Sequence, residues 1–139
     1  MTTRYSSKHG VIARSPMEMY MAFTDLRNIN SMIPKDDKRL EGVTVNADFD
    51  NLTINANNMT FSAKVSERQP YSKLVIDSVE SPIKCSLTLN FKDDGNSHTE
   101  FFIELDAELN FLMKSMIGRK IEDGLNKIID TLESQSAQI

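Results

Sequence analysis

The sequence predicts an α+β fold: one curved antiparallel sheet of about six to seven strands against a long C-terminal helix, with a short helix after the first strand. Three observations lead there. A sharp helix start falls at "SPME" (15–18). Apolar and polar residues alternate from about residue 41 to residue 109. An apolar stripe at helical spacing runs from about residue 111 to residue 133.

The chain opens with an expected strand over residues 4–13. Ser15 then caps a helix, Pro16 suits its first position, and Glu18 completes a capping box. This helix should run to about residue 25. On a helical wheel Met19, Tyr20 and Phe23 share the buried side, whereas Met17 and Met21 point away from it. Met19 is therefore expected to be buried and Met17 more exposed. Residues 26–34 read as a short irregular or helical turn that Pro34 ends.

The period then changes from helical to alternating. "VTVNADF" puts Val43, Val45, Ala47 and Phe49 on one face, and "LTINA" (52–56) alternates again after an Asp-Asn turn. "MTFSAKV" groups Met59, Phe61, Ala63 and Val65. "KLVIDSV" groups Leu74 and Ile76, and "CSLTLNF" groups Cys85, Leu87, Leu89 and Phe91. "TEFFIELDAEL" groups Phe101, Ile103, Leu105, Ala107 and Leu109. The last two are joined by "KDDGNSH" (92–98), which carries Asp-Gly hairpin chemistry. These are half-buried antiparallel strands joined by short turns. In the final helix, Ile117, Ile121, Leu125, Ile128 and Leu132 fall within an arc of about 80°, with Met113 and Gly124 beside it. Arg119, Asp123, Asn126 and Asp130 lie opposite, so the apolar seam faces a sheet. The tail "ESQSAQI" (133–139) should fray.

The 139 residues, 40% hydrophobic and 26% charged, fit one globular domain over 1–139. A net charge of −4 argues against a nucleic-acid partner. The densest basic patches, "KDDKR" (35–39) and "GRK" (118–120), are interrupted or followed by acids and read as solvated surface. The lone Cys85 cannot form an internal disulfide, and the N-terminus has no apolar signal-peptide core. No apolar run approaches about 18 residues. The expectation is a cytoplasmic protein that is not integral to a membrane, so the two Asn-x-Thr sequons at Asn51 and Asn58 read as chance.

Three stretches together resemble the START-like superfamily, also called SRPBCC, which includes birch-pollen-allergen-like and polyketide cyclase-like proteins. They are the strand running into "SPMEMYMAFTDLRNI", the "SERQPYSKLVIDS" hairpin, and the closing "FFIELDAELN…IEDGLNKIIDTL". Their order and spacing span nearly the whole chain. Two departures are Tyr71, where the central turn usually has a second proline, and the lack of a tryptophan. The resemblance implies a helix-grip fold with a cavity between sheet and C-terminal helix. It also implies binding of lipids, quinones or other apolar molecules, with a minority of members being enzymes and no universal catalytic motif.

The chemistry-bearing residues are few. His98 falls in a hairpin loop and reads as solvated, and His9 lies in the first strand with an ambiguous register. Neither belongs to a zinc-binding spacing. "NADFDN" (46–51) lacks the glycine and terminal glutamate of a calcium loop. Cys85 reads as a small buried hydrophobe. Neither a metal nor a cofactor is expected, and no catalytic residue is assigned. Gly118 and Gly124 within the last helix need a reason, which is close packing or cavity space, with Gly124 the better cavity candidate. The polar atoms expected to reach a cavity belong to Ser78, Thr131, His9 and Tyr5. The expected lining is Phe61, Ile76, Ser78, Leu87, Leu89, Ile103, Leu105, Met113, Ile117, Ile121, Gly124 and His9.

Three functions fit this reading. The leading one is a non-enzymatic binder or carrier of a small apolar ligand. The second is a cyclase- or dehydratase-type enzyme using the same cavity, which needs an acid or base inside it. The third is a ligand-free interaction module or homodimer, supported by Phe102 on the polar parity of its strand.

Overall fold

The computed structural model describes residues 2–28, 42–56, 59–81, 83–96 and 98–136. The expected turn over 29–34, the basic patch at 35–39, Asn58 of the second sequon and the end of the C-terminal tail lie outside the described residues. The strands are β1 (Thr3–Ser6), β2 (Gly10–Ile12), β3 (Thr44–Ala47), β4 (Asn51–Ala56), β5 (Met59–Gln69), β6 (Lys73–Glu80), β7 (Cys85–Asp93) and β8 (Thr99–Ala107). The helices are α1 (Pro16–Thr24) and α2 (Phe111–Ser136), with a 3-10 turn at Leu26–Asn28. The strands form one antiparallel sheet in the order β1-β8-β7-β6-β5-β4-β3, and β2 also pairs with β8.

One expected strand is two. Tyr5 lies opposite Leu105 on β8, but Gly10 lies opposite Phe101, so the first strand carries one residue more than its partner. Such an extra residue interrupts the ladder and exchanges the faces of the side chains that follow. Tyr5 and Ser7 point inward before the break, and Gly10 and Ile12 point inward after it. Ser7 holds the junction in place: its N–H donates to the Ile103 carbonyl at 2.8 Å, and its hydroxyl accepts from the Ile103 N–H at 2.9 Å.

The capping box at α1 forms as its sequence dictates. The Ser15 hydroxyl accepts from the Glu18 N–H at 3.2 Å, and the Glu18 carboxylate receives the Ser15 N–H. Met19 is 5% exposed while Met17 and Met21 are 54% and 58% exposed, so the wheel reading holds. The helix stops at Thr24 because Asp25 turns extended and pairs with the Arg27 guanidinium. Phe49, expected on the apolar face, is exposed. The strand ends at Ala47, because the Asp48 carboxylate takes the Asp50 and Asn51 N–H groups into a turn. Phe49 instead lies beneath the Arg68 guanidinium, 4.5 Å from its ring centre. Tyr71, at the central turn, has φ of 64°, a left-handed value that a proline ring forbids. That excludes the second proline that the resemblance leads one to expect here.

α2 decides the geometry of the interior. It lies over β1, β2 and β8, while α1 lies over β6 and β7. Three side chains from the helix fasten it to the irregular edge. Asn126 Oδ1 accepts the Lys8 N–H at 2.6 Å, Glu133 Oε2 accepts the Val11 N–H at 3.0 Å, and Asp130 pairs with the Lys8 ammonium. Asn126 and Asp130, expected on the solvent face, therefore meet Lys8 in the connection between β1 and β2. α2 also continues to Ser136, past its expected end. Replacing Asn126 by alanine leaves the Lys8 N–H without this partner and is expected to cost about 1–2 kcal/mol in urea unfolding.

The core concentrates where α1 meets the sheet. Phe23 stacks on Phe101 with ring centres 5.6 Å apart, and Phe91 lies 5.4 Å from Phe101. Tyr20 meets Phe91 edge-on at 6.3 Å. Leu26, Leu74, Phe101 and Ile129 are buried to within 1% of completely.

Candidate functional site

Because α2 sits over one edge, the inward face of β4–β7 is only partly covered. The space left is carbon-lined and falls into two adjoining chambers. The inner one, about 270 Å³, lies beneath Phe23 and Leu26. Its walls are Leu52 of β4, Phe61 and Ala63 of β5, Ile76 and Ser78 of β6, and Cys85, Leu87 and Leu89 of β7. Phe101, Ile103 and Leu105 of β8 and Ile128 of α2 close it. The outer one, about 450 Å³, is bounded by Ile54, Met59, Thr60, Ser81, Ile83, Ala107, Leu109, Ile117 and Ile121. Phe61, Cys85 and Leu105 line both.

Strand alternation places most of these residues, since every second side chain shares one face. Of the expected lining, Phe61, Ile76, Ser78, Leu87, Leu89, Ile103, Leu105, Ile117 and Ile121 come together here. Three do not. His9 points to the outer face of the sheet, stacked on Phe102 with ring centres 4.1 Å apart, and its Nδ1 is 2.8 Å from Glu100 Oε1. It shares odd numbering with inward Tyr5 and Ser7, but the extra residue before β2 has already exchanged the faces. Gly124 is exposed with nothing near the position of an added Cβ. The glycine that packs closely is Gly118, where a Cβ would sit 3.1 Å from the Tyr5 hydroxyl. Met113 is half-buried against the core without lining either chamber. Of the other polar candidates, Thr131 is exposed and donates to the Lys127 carbonyl, and Tyr5 is packed in the core.

Residues absent from the expected lining include Phe23, Leu26, Ile54, Ala63, Cys85, Leu109 and Ile128. Parity alone reaches Ala63, Cys85 and Leu109, which alternate with Phe61, Leu87 and Ala107. Phe23, Leu26 and Ile128 depend on where the helices come to rest, which no local pattern encodes.

The chamber walls carry little chemistry. Among the described residues no carboxylate, imidazole, ammonium or guanidinium lines either chamber. The Thr60 hydroxyl donates to Asn55 Oδ1 at 2.9 Å, and the Ser81 hydroxyl donates to the Ile83 carbonyl at 2.5 Å. Ser78 Oγ accepts the Cys85 N–H at 3.0 Å. Burial pushes the Cys85 thiol pKa up, and the adjacent Ser78 hydroxyl partly opposes that shift. At neutral pH Cys85 is therefore a thiol rather than a thiolate, a poor nucleophile. Among the described residues no group of His, Cys, Asp and Glu is placed to hold a metal ion, and no helix is long and apolar enough to cross a membrane. At the start of α2, Phe111, Leu112 and Met116 are 85%, 66% and 65% exposed.

An open antiparallel sheet, a short helix after the first strands and a long C-terminal helix held against one edge define the START-like, or SRPBCC, helix-grip fold. Solved structures agree. Norcoclaurine synthase from Thalictrum flavum, in complex with dopamine and hydroxybenzaldehyde, superposes with a TM-score of 0.74 at 9% identity, over 99% of this chain and 88% of that one. DR_A0006 from Deinococcus radiodurans gives a TM-score of 0.64 at 15% identity over the full length of both chains. CalU16 from Micromonospora echinospora gives 0.52 at 11% identity, covering 99% of this chain and 95% of that one. At these identities the likeness is one of fold. No family model and no curated protein sequence matches the chain.

Proposed function

We propose that this chain, acting as one domain over residues 1–139 in the cytoplasm, binds or carries a small apolar molecule of the lipid, quinone or aromatic polyketide-like kind. The reading is non-enzymatic. The observation that carries it is the lining: two adjoining chambers walled by carbon, with no general acid or base among the described wall residues. Ligand sites are mostly apolar with few convergent polar groups. A cyclase or dehydratase would need a group able to move a proton within these walls.

Cys85 makes the reading testable, because its side chain lines both chambers. The purified protein is titrated with long-chain fatty alcohols, short-chain quinones and polycyclic aromatics. Alkylation of Cys85 by iodoacetamide is then followed by intact mass. A binder is expected to slow alkylation in proportion to occupancy and to raise the melting temperature. Alkylation rates and melting unaffected by every class would reject the proposal.

A second reading rests on Phe111, Leu112 and Met116, whose exposure suits an interface between two copies of the chain. Phe102, the residue that first suggested an interface, is half covered by the His9 ring. Light scattering at micromolar concentration distinguishes the readings. A dimer that Leu112→Ser and Met116→Ser convert to monomer supports the interface, and a monomer throughout removes it.

A further inference from the structure

The first half of α2 turns apolar side chains to solvent and carries cations beside them. Phe111, Leu112 and Met116 are 85%, 66% and 65% exposed. At about 100° per residue they share one half of the helix with Arg119 and Lys120. Ile117 and Ile121 lie on the other half, where they line the outer chamber. Lys114, Arg119 and Lys120 are exposed and form no ion pair among the described residues. Residues 109–121 hold these three cations and no carboxylate, in a chain whose net charge is −4. Acids bound the stretch: Glu108 precedes it, and Glu122 and Asp123 follow it. Farther along the helix the charged groups turn to the protein itself, where Asp130 meets Lys8 and Glu133 meets the Val11 N–H.

We propose that this stretch docks the protein on an anionic lipid bilayer. Phe111, Leu112 and Met116 enter the interface, and Lys114, Arg119 and Lys120 meet the lipid phosphates. The inference goes beyond the ligand reading and does not depend on it. Such a surface calls for both kinds of side chain: apolar groups bury at the acyl boundary, and cations gain from its negative potential. The stems of Lys and Arg can lie along the apolar groups while their charges stay at headgroup level. A second copy of the chain fits less well. A two-fold interface sets one patch against itself, so the cations of the two copies would face each other. The flanking acids limit the contact. Anionic lipids repel Glu122 and Asp123, so the first three turns dock and the rest of α2 stays off the surface. The outer chamber, walled by Ile117 and Ile121 on the reverse of these turns, then lies next to the bilayer.

The test is sedimentation of the full chain with sucrose-loaded vesicles of phosphatidylcholine, alone or with about one-third phosphatidylglycerol. Binding to the anionic vesicles is expected to be at least about 10-fold tighter, and to weaken several-fold between about 0.1 M and about 1 M salt. Arg119→Glu with Lys120→Glu, and Leu112→Ser with Met116→Ser, should each lower it by about 10-fold or more. Lys64→Glu with Lys92→Glu makes the same change in net charge on β5 and β7, and should leave binding within about 2-fold of wild type. All the replaced residues are exposed, and unchanged melting shows that the variants are folded. The chain has no tryptophan, so Leu112→Trp reports on its own position. Its emission should move to shorter wavelength with anionic vesicles and stay put with neutral ones. No binding to anionic vesicles, equal binding to both compositions, or an equal loss in the β5–β7 variant overturns the proposal. So does a dimer that Leu112→Ser with Met116→Ser disperses, with Leu112→Trp emission that vesicles leave unchanged. Each of these failures leaves the ligand reading standing.

Discussion

Replacing Phe101 by alanine is expected to lower the melting temperature by about 10–20 °C, the largest single effect in the chain. Phe101 has no exposed surface, and its ring lies 5.6 Å from Phe23 and 5.4 Å from Phe91. Truncation removes the buried ring and leaves a hole that the rigid β8 ladder cannot close. Such changes cost about 3–5 kcal/mol, transfer and cavity terms together. Phe101→Leu keeps most of the volume and should cost less than half as much. Thermal melting of the three proteins checks the order. A Phe101→Ala protein that melts within 3 °C or so of wild type would mean that this aromatic cluster is not the centre of the core.

Gly10→Ala is expected to destabilise by about 1–3 kcal/mol although it adds one methyl group. A Cβ there would lie 2.4 Å from Ile129 Cγ2 and 3.1 Å from Glu133 Cδ, so α2 would have to lift from β2. Ile129→Leu deletes the offending Cγ2. In that background the cost of Gly10→Ala should fall by half or more, a coupling that a double-mutant cycle in urea measures directly. Gly124→Ala is the control. No atom lies within 4 Å of its added Cβ, so relief of the glycine penalty inside a helix should stabilise by up to about 1 kcal/mol. Equal effects at the two glycines would contradict this seating of the helix.

Much of the fold was legible because its signals are local. The Ser15-Pro16-Glu18 start declares a helix within four residues, and alternation from Cys85 to Phe91 or from Phe101 to Leu109 can satisfy only a half-buried strand. The site was legible to the same depth: parity points to most wall residues that the strands contribute, as at Ile76, Leu87 and Ile103, although not to Thr60. Two things were hidden. One extra residue between Ser7 and Gly10 has no compositional mark, and it sent His9 to the opposite face. The lateral position of α2 depends on Gly10, Asn126 and Glu133 meeting across more than a hundred residues. A wheel shows which arc is apolar but not which strands lie beneath it, so Gly124, expected beside a cavity, is exposed, while Gly118 is the glycine that packs closely.

The off-centre seating of α2 also gives the two chambers different supports. The inner chamber is framed by laddered strands and by the half of the helix that Asn126, Ile129 and Glu133 clamp to the edge. The outer chamber has Ile117 and Ile121 on the opposite half, where Gly118 against Tyr5 is the close contact. The inner chamber thus lies under the half of α2 that its side chains tie to the irregular edge, and the outer chamber under the half that those contacts do not reach.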